Sequence, residues 1–274
     1  MTKRVRLDAE LVRRGLARSR EHAAGLIQDG RVTVAGTVAH KPATAVGTDA
    51  ALVVRDVPEA PDFASRGGHK LAGALSVFGP MGLVVEGRRC LDAGASTGGF
   101  TDVLLRAGAR QVAAVDVGYG QLAWSLRADA RVAVHDRTNV RDLTLEVIGG
   151  PVDLVVADLS FISLTLVLPA LTQVTLPDGD LVLMVKPQFE VGRERLGRGG
   201  VVRDPQLRRE SVVTVAEAGW SSGWGTRAVA ASPLPGPSGN VEYFVWMRRD
   251  APRVDPADVA EVVATGPTGE RLAT

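Results

Sequence analysis

The sequence predicts an α/β protein in which a small α+β module precedes a mainly parallel, seven-stranded sheet with helices on both faces. From about residue 69 onward seven short apolar runs recur, and stretches with helical periodicity separate them. Strands that alternate with helices form a parallel sheet covered on both faces. The strands are predicted over 89–93, 111–115, 131–134, 152–157, 181–185, 228–231 and 243–247, and a last short helix from Pro256.

Residues 1–54 predict two short helices and a few strands. Asp8 is expected to cap a helix over 9–14, and Ser19 a second helix that ends at Gly30, because these residue types favour helix ends. An Ala35-Gly36 turn between two alternating runs is typical of a hairpin. The strands are predicted over 32–34, 37–39 and 52–54.

Pro58 and Pro61 indicate a linker between two domains. We therefore divide the chain into residues 1–60 and 61–274. A module of the first size buries little apolar area, which is typical of an accessory domain.

Charge is distributed unevenly along the chain. The formal net charge is +1, but residues 1–20 contain seven Lys or Arg against Asp8 and Glu10. This segment has a surplus of five positive charges, so the rest of the chain is negative by four. A basic end on a nearly neutral chain predicts a polyanionic partner.

Composition excludes several classes of protein. Cys90 is the only cysteine, which rules out an intrachain disulfide and a Cys-rich metal site, and the four dispersed histidines predict no metal. No apolar stretch approaches the roughly 18 residues of a membrane helix, and the N-terminus lacks the apolar segment of a signal peptide. We expect a cytoplasmic protein with no membrane segment and no obligate protein partner.

The segment DAGASTGGF over 92–100 predicts a strand end, a tight turn and the start of a helix. Its glycines allow the backbone to approach a ligand, and the helix start offers unpaired N–H groups. Three chemistries compete here. A dinucleotide site is disfavoured because the glycine spacing is not G-x-G-x-x-G. A hydrolase would use Ser96 in G-x-S-x-G, but its histidine would have to be His135, too early in the sheet.

The third alternative is a nucleoside-bearing methyl donor, whose positive sulfonium favours acidic neighbours. Four aspartates end four successive predicted strands, and ligands of such sheets bind beyond the carboxyl ends. Asp116 is placed to accept hydrogen bonds from the ribose hydroxyls, and Asp136 is placed to accept one from the adenine amino group. The predicted cofactor contacts are Asp92, Gly94, Ala95, Ser96, Gly98, Gly99, Asp116, Val117, Asp136 and Asp158.

Two lysines have the context of catalytic groups. Lys186 directly follows an apolar run in LMVKPQFE, and Lys70 lies in SRGGHKL before the first strand of the sheet. A desolvated lysine beside a sulfonium loses its proton more readily than a free lysine, so Lys186 is a candidate base for a ribose hydroxyl.

The N-terminal segment LDAELVRRGLARSREHAAGLIQDGRVTVAGTVAHKPATAV resembles the RNA-binding module of ribosomal protein S-four. Pseudouridine synthases and tyrosyl-tRNA synthetases contain the same module. The resemblance implies that basic side chains contact structured RNA, and arginine suits phosphate groups. The expected RNA contacts are Arg4, Arg6, Arg13, Arg14, Arg18, Arg20, Lys41 and Arg66.

Six further motifs together resemble the TlyA family, whose catalytic domain is FtsJ-like: ASRGGHKL, DAGASTGGFTDVLL, DVGYGQLAW, ADLSFISL, VKPQFEVG and SPLPGPSGNVEYF. The resemblance covers nearly the whole chain. It implies a Rossmann-like class I methyltransferase that uses S-adenosylmethionine to methylate the 2′-hydroxyl of cytidine in ribosomal RNA of both subunits. The implied catalytic tetrad is Lys70, Asp158, Lys186 and Glu242.

Two alternatives from other classes stay open at this point. The same family carries a haemolysin label, although no membrane-active segment is found in the sequence. A non-catalytic RNA-binding protein is the other alternative, and it would not require the strand-end acids or Lys186. The loop over 192–209, with six Arg against two acids, is interpreted as a second RNA contact.

Overall fold

The computed structural model describes residues 4–17, 19–28, 30–55, 62–236 and 238–267. The chain divides into two compact units, Met1–Asp62 and Phe63–Thr274. The predicted linker residues Pro58 and Pro61 and the predicted RNA contact Arg18 lie outside the described residues.

The first unit contains two helices and two small antiparallel sheets. One sheet pairs β1 with β4, and the other has the order β3-β2-β5. A shared core of Leu7, Leu11, Ala23, Ile27 and Val32 joins helices and strands. The elements are β1 (Arg4–Arg6), α1 (Leu7–Arg13), α2 (Arg20–Gln28), β2 (Val32–Val34), β3 (Thr37–Val38), β4 (Ala45–Gly47) and β5 (Leu52–Val54).

Of the two helix caps and the hairpin turn predicted in this unit, one cap and the turn are confirmed. Ser19 accepts a hydrogen bond from the N–H of His22, as expected of a cap. Both hairpin turn residues, Ala35 and Gly36, have the positive φ that a two-residue hairpin turn needs. The cap predicted at Asp8 is wrong, because α1 begins at Leu7, two residues before the predicted start, and Asp8 lies inside the helix, where its carboxylate pairs with Arg6 and Arg20.

The second unit has the predicted alternation of strands and helices. Its strands are β6 (Arg89–Ala93), β7 (Gln111–Val115), β8 (Val132–His135), β9 (Val152–Ala157), β10 (Thr175–Val185), β11 (Gly225–Ala231) and β12 (Tyr243–Arg248). Its helices are α3 (Gly67–Phe78), α4 (Gly99–Arg106), α5 (Trp124–Arg127), α6 (Leu145–Ile148), α7 (Leu168–Val174), α8 (Pro187–Glu190), α9 (Pro205–Ser221) and α10 (Pro256–Thr265).

The seven strands form one sheet in the order β11-β12-β10-β9-β6-β7-β8. Strand β12 is antiparallel to both its neighbours, and the other pairings are parallel, so the predicted mainly parallel sheet is confirmed. From β6 the chain continues outward through β7 and β8, and then returns to β9 on the other side of β6. The carboxyl ends of β6 and β9 therefore flank the topological switch point, where ligands of such sheets bind.

Apolar side chains cover both faces of this sheet. Along β6, Leu91 and Ala93 belong to one core cluster, whereas Cys90 belongs to the cluster on the other face. Alternation along a strand with both faces buried explains why the sequence shows continuous apolar runs here. The two clusters pack against both faces of the strands, and the loops that follow the strands carry the candidate site.

Candidate active site

The turn after β6 brings its backbone very close to the turn after β9. Gly94 has a φ of +90°, and a Cβ at this position would lie 2.6 Å from the carbonyl oxygen of Asp158. Only glycine fits both the conformation and the space. Ser96, two residues after Gly94, has a φ of +48° and donates its N–H to Asp116 Oδ2 at 2.8 Å. The glycine spacing thus shapes an open backbone turn at the switch point.

Helices α3 and α4 begin side by side at this turn. A Cβ on Gly99 would lie 2.8 Å from the nitrogen of Gly68, and a Cβ on Gly68 would lie 3.0 Å from the carbonyl oxygen of Gly99. The absence of side chains lets the two helix starts touch. One turn into α3, this contact places Lys70 beside the glycine turn of β6.

A cavity of about 450 Å³ lies over the ends of β6, β9 and β10. This volume falls within the usual range for small-molecule sites, about 300–1,000 Å³. Eight of the predicted site residues line the cavity: Arg66, Lys70, Gly94, Ala95, Ser96, Gly99, Asp158 and Lys186. Four further lining residues were not predicted: Ser65, Gly67, Phe100 and Ser160.

Two ion pairs bring the four implied tetrad residues into one region. Lys186 Nζ lies 2.5 Å from Asp158 Oδ1 at the cavity wall. Lys70 Nζ lies 2.5 Å from Glu242 Oε2, and both of these side chains are buried. Glu242 is not among the residues that line the cavity, and its ion pair with Lys70 connects it to the lining. Charges with so little solvent contact interact strongly with a ligand that enters the cavity.

Asp92 does not have the position expected of a cofactor contact. Its side chain is completely buried beneath the turn, where Oδ2 accepts a hydrogen bond of 2.6 Å from Thr101 Oγ1. Burial, opposed by the Thr101 hydrogen bond and supported by the charge of Asp158, raises the pKa of Asp92 to about 7. Asp92 therefore supports the turn from below and does not face the cavity.

This raised pKa gives a prediction for Asp92→Asn. The wild-type carboxyl holds its proton in the folded state and loses it in the unfolded state between about pH 4 and pH 7, so wild-type stability falls as pH rises through that window. The asparagine amide oxygen keeps an acceptor for Thr101 but does not titrate. The quantity to compare is the unfolding free energy of the variant minus that of wild type. This difference should rise by on the order of 2 kcal/mol from pH 5 to pH 8.

Urea denaturation at the two pH values measures this change, and Asp178→Asn, an exposed carboxylate on the same sheet, is the matched control. A difference that does not depend on pH would contradict the protonation state assigned to Asp92.

Asp116 and Asp136 end their strands as expected but use their carboxylates within the protein. Asp116 accepts N–H groups from Ser96 and Gly118 at 2.8 and 2.7 Å. Asp136 pairs with Arg127 at 2.8 Å, and this guanidinium holds the pKa of that carboxyl below its usual range. Neither residue lines the cavity, nor do Gly98 and Val117, although the side chain of Val117 is exposed at the same sheet edge.

In the N-terminal unit four of the predicted RNA contacts, all arginines, share two acidic partners. Asp8 pairs with Arg6 and Arg20. Glu10 pairs with the other two arginines, Arg13 and Arg14, and the Arg13 hydrogen bond, followed by that of Arg14, lowers its pKa to about 2.

These arginines differ in exposure. Arg6, Arg13 and Arg20 have side chains more than half exposed. Arg14 is less exposed and donates to the carbonyl oxygens of Thr48 and Ala50, so it holds the module together. Arg4 and Lys41 are exposed on this unit, and Arg66 is exposed on the other.

The arginine-rich loop over 192–209 is fixed at its carboxyl end. Asn240 is buried, and its amide accepts the N–H of Val202 and donates to the carbonyl oxygen of Gly200. Arg208 is also buried and donates to the carbonyl oxygen of Val202. Arg208 is therefore a structural residue and does not belong to the basic surface of the loop.

Comparison with known proteins defines the class of this molecule. Residues 63–249 match the FtsJ-like methyltransferase family and residues 5–52 match the S4 domain. Together with the Rossmann-like sheet and the switch-point cavity, this match defines a methyltransferase with an attached S4 domain. A 16S/23S rRNA (cytidine-2′-O)-methyltransferase TlyA from Mycobacterium tuberculosis is 62% identical over 254 residues, which cover 92% of this chain and 93% of the relative. The chain belongs to the TlyA family, as its motifs predicted.

Other relatives carry the haemolysin name. Hemolysin A from Brachyspira hyodysenteriae is 36% identical over 88% of this chain and 98% of its own length. The solved structure of a protein assigned as a hemolysin from Streptococcus thermophilus is 38% identical, covers 96% of both chains and has a TM-score of 0.74. Among the helices that the described residues form, none is long and apolar enough to cross a membrane.

Proposed function

We propose that this chain transfers a methyl group from S-adenosylmethionine to the ribose 2′-hydroxyl of cytidine in ribosomal RNA of both subunits, and that it acts in the cytoplasm. The observation that carries the proposal is the Lys186–Asp158 pair at the wall of the switch-point cavity. A lysine held there by a carboxylate suits an alcohol acceptor that must lose a proton.

The residues around the cavity fit S-adenosylmethionine. The cofactor supplies, when bound, an electrophilic methyl group on a positively charged sulfur. The turn from Gly94 to Ser96 offers backbone without bulky side chains, and α4 starts at the cavity with N–H groups suited to a carboxylate. Asp158 contributes negative charge to the wall, and Asp116 supports the turn through the N–H of Ser96.

The tetrad residues then divide the work on the acceptor. As a neutral amine, Lys186 takes the proton of the 2′-hydroxyl at Nζ, and as an ammonium it stabilises the developing oxyanion. Asp158 holds Lys186 in place through the 2.5 Å ion pair. Lys70 faces the cavity and orients the ribose, while Glu242 balances its charge from the buried side. Alignment of acceptor and methyl carbon is the main catalytic requirement.

Mapping of 2′-O-methyl groups tests the proposal. Purified chain and S-adenosylmethionine are incubated separately with small subunits, large subunits and protein-free ribosomal RNA that lack the modification. We expect 2′-O-methylcytidine at defined positions of RNA from both subunits. A methylated base would show that the acceptor atom is wrong, and no methylation of any of these RNAs would overturn the proposed activity.

For RNA binding we assign the anchoring surface to the exposed arginines of the S4 domain. Replacing Arg6, Arg13 and Arg20 together with alanine should weaken RNA binding. The slope of log affinity against log salt should become shallower by roughly 0.7–0.9 for each phosphate group that the variant no longer neutralises. Cofactor affinity should not change, because the substitutions leave the cavity intact.

Filter binding at several salt concentrations measures this effect. Arg253→Ala is the matched control, since Arg253 is likewise paired with a glutamate and its side chain is 63% exposed, against 61% for Arg13. Equal affinity and slope in the triple variant and the control would remove the S4 domain as the anchor. The loop over 192–209, with exposed Arg193 and Arg195, is proposed as a second RNA contact.

A further inference from the structure

Ser160, which lies two residues after Asp158 in the turn that follows β9, is one of the cavity residues that were not predicted. Its hydroxyl oxygen accepts a hydrogen bond of 3.0 Å from Lys186 Nζ. The same nitrogen lies 2.5 Å from Asp158 Oδ1. All three residues line the cavity. One short turn thus provides both an ion-pair partner and a hydrogen-bond acceptor for the amine that the proposed mechanism uses.

Two partners constrain an amine more than one does. The ammonium group of Lys186 has three N–H bonds. Ser160 accepts one of them as a hydrogen bond, and Asp158 Oδ1 holds the same nitrogen through an ion pair. A single ion pair fixes one direction and still lets the flexible side chain pivot about it. The hydrogen bond to Ser160 adds a second restraint, so the amine has less freedom to turn within the cavity.

The turn that carries Ser160 is held under strain. Its next residue, Phe161, has a φ of +64°, a conformation that is unfavourable for a non-glycine residue. Glu190 holds the far end of the turn, because its carboxylate accepts hydrogen bonds from Ser163 Oγ at 2.5 Å and from the N–H of Leu164 at 2.9 Å. Such strain persists only where the surrounding contacts enforce it.

Glu190 also connects the two loops of the site. It lies in α8, which begins immediately after Lys186, and the rings of Phe161 and Phe189 add a contact at 5.3 Å between the same loops. The segment that carries the amine and the loop that carries its two partners are therefore fixed to each other.

We propose that Ser160 is a positioning residue: its hydroxyl, on the turn that Glu190 anchors, sets the orientation of Lys186 Nζ toward the acceptor hydroxyl. This inference rests on the proposed function for its catalytic consequence, whereas the contact itself is a property of the protein alone.

Steady-state kinetics of Ser160→Ala test the consequence, with full-length protein, S-adenosylmethionine and the RNA substrate. We expect kcat to fall about 10- to 100-fold, as a misplaced catalytic group would cause, with KM for RNA and cofactor affinity within about threefold. Ser160→Thr keeps the hydroxyl and should recover most of kcat. Ser222→Ala, an exposed serine directly after α9, is the control for the substitution itself.

Unchanged kcat in Ser160→Ala would overturn the inference, and so would a threonine variant as slow as the alanine variant. A fall in cofactor affinity that accounts for the whole loss would also overturn it, since Ser160 would then be a binding residue.

A second measurement separates this inference from the proposed function. In protein labelled with ¹⁵N-lysine and free of cofactor, the Lys186 Nζ signal, identified by its loss in Lys186→Arg, should exchange slowly with water and broaden in Ser160→Ala. If wild type methylates no RNA but this difference is seen, the proposed function fails and the contact stands. If the signal is identical in the two proteins, the contact fails.

Discussion

Replacement of Lys186 with alanine is expected to abolish methyl transfer to RNA while S-adenosylmethionine binding stays within a few fold of wild type. The lysine contributes proton removal or oxyanion stabilisation, and either contribution acts in the transition state. General-base contributions alone are about 10²–10⁴-fold in rate. Loss of turnover with retained ground-state binding is the pattern of a transition-state contact. The remaining carboxylate of Asp158 is partly solvated, with 22% of its side chain exposed, so the fold should tolerate the change.

Lys186→Arg distinguishes the two roles of the lysine. Arginine keeps the charge and can pair with Asp158, but it cannot act as a base. Single-turnover methylation with isotope-labelled cofactor, together with calorimetry of cofactor binding, measures both variants. Substantial activity in the arginine variant would assign an electrostatic role. An inactive arginine variant supports the base, and full activity in the alanine variant would remove Lys186 from the mechanism.

Strand positions could be predicted from the sequence because burial on both faces leaves a strong local signal. The runs predicted over 89–93, 111–115 and 152–157 coincide with strands β6, β7 and β9. Strand β10 begins earlier than the prediction, at Thr175, because its first residues are polar and lack the apolar run. Strands β1 (RVR) and β4 (AVG) were missed because each contains a single valine among residues that do not favour strands, whereas the equally short β2 and β5 are rich in apolar and β-branched residues.

The site could be predicted only to the level of the strand ends. Parallel strands place their carboxyl-end residues at one edge of the sheet, but the direction of each side chain depends on tertiary contacts. Asp158 faces the cavity, whereas Asp92, also at the end of its strand, is buried against Thr101. Ser160 lies in the motif ADLSFISL, but the motif did not indicate its contact with Lys186, which is 26 residues away in the sequence.

Glu242→Ala is expected to combine loss of activity with a large loss of stability. Its side chain has no solvent exposure, and that of its partner Lys70 is 9% exposed. Removal of one member of a buried ion pair leaves the other charge without compensation, which typically costs about 3–5 kcal/mol. Urea denaturation followed by tryptophan fluorescence reports this loss in the catalytic unit alone, because all four tryptophans lie beyond residue 62.

The double variant Lys70→Met with Glu242→Leu separates stability from catalysis. Apolar side chains of similar volume remove both charges, so no buried charge is left uncompensated, and replacement of a buried ion pair in this way is often neutral or stabilising. We expect its unfolding free energy to return close to that of wild type. Methyl transfer should stay abolished, since the cavity no longer contains the Lys70 ammonium. If Glu242→Ala lowers the unfolding free energy by less than about 1 kcal/mol, the Lys70–Glu242 pair behaves as a solvated surface pair. Recovery of activity in the stable double variant would instead show that Lys70 and Glu242 serve the fold and not the reaction.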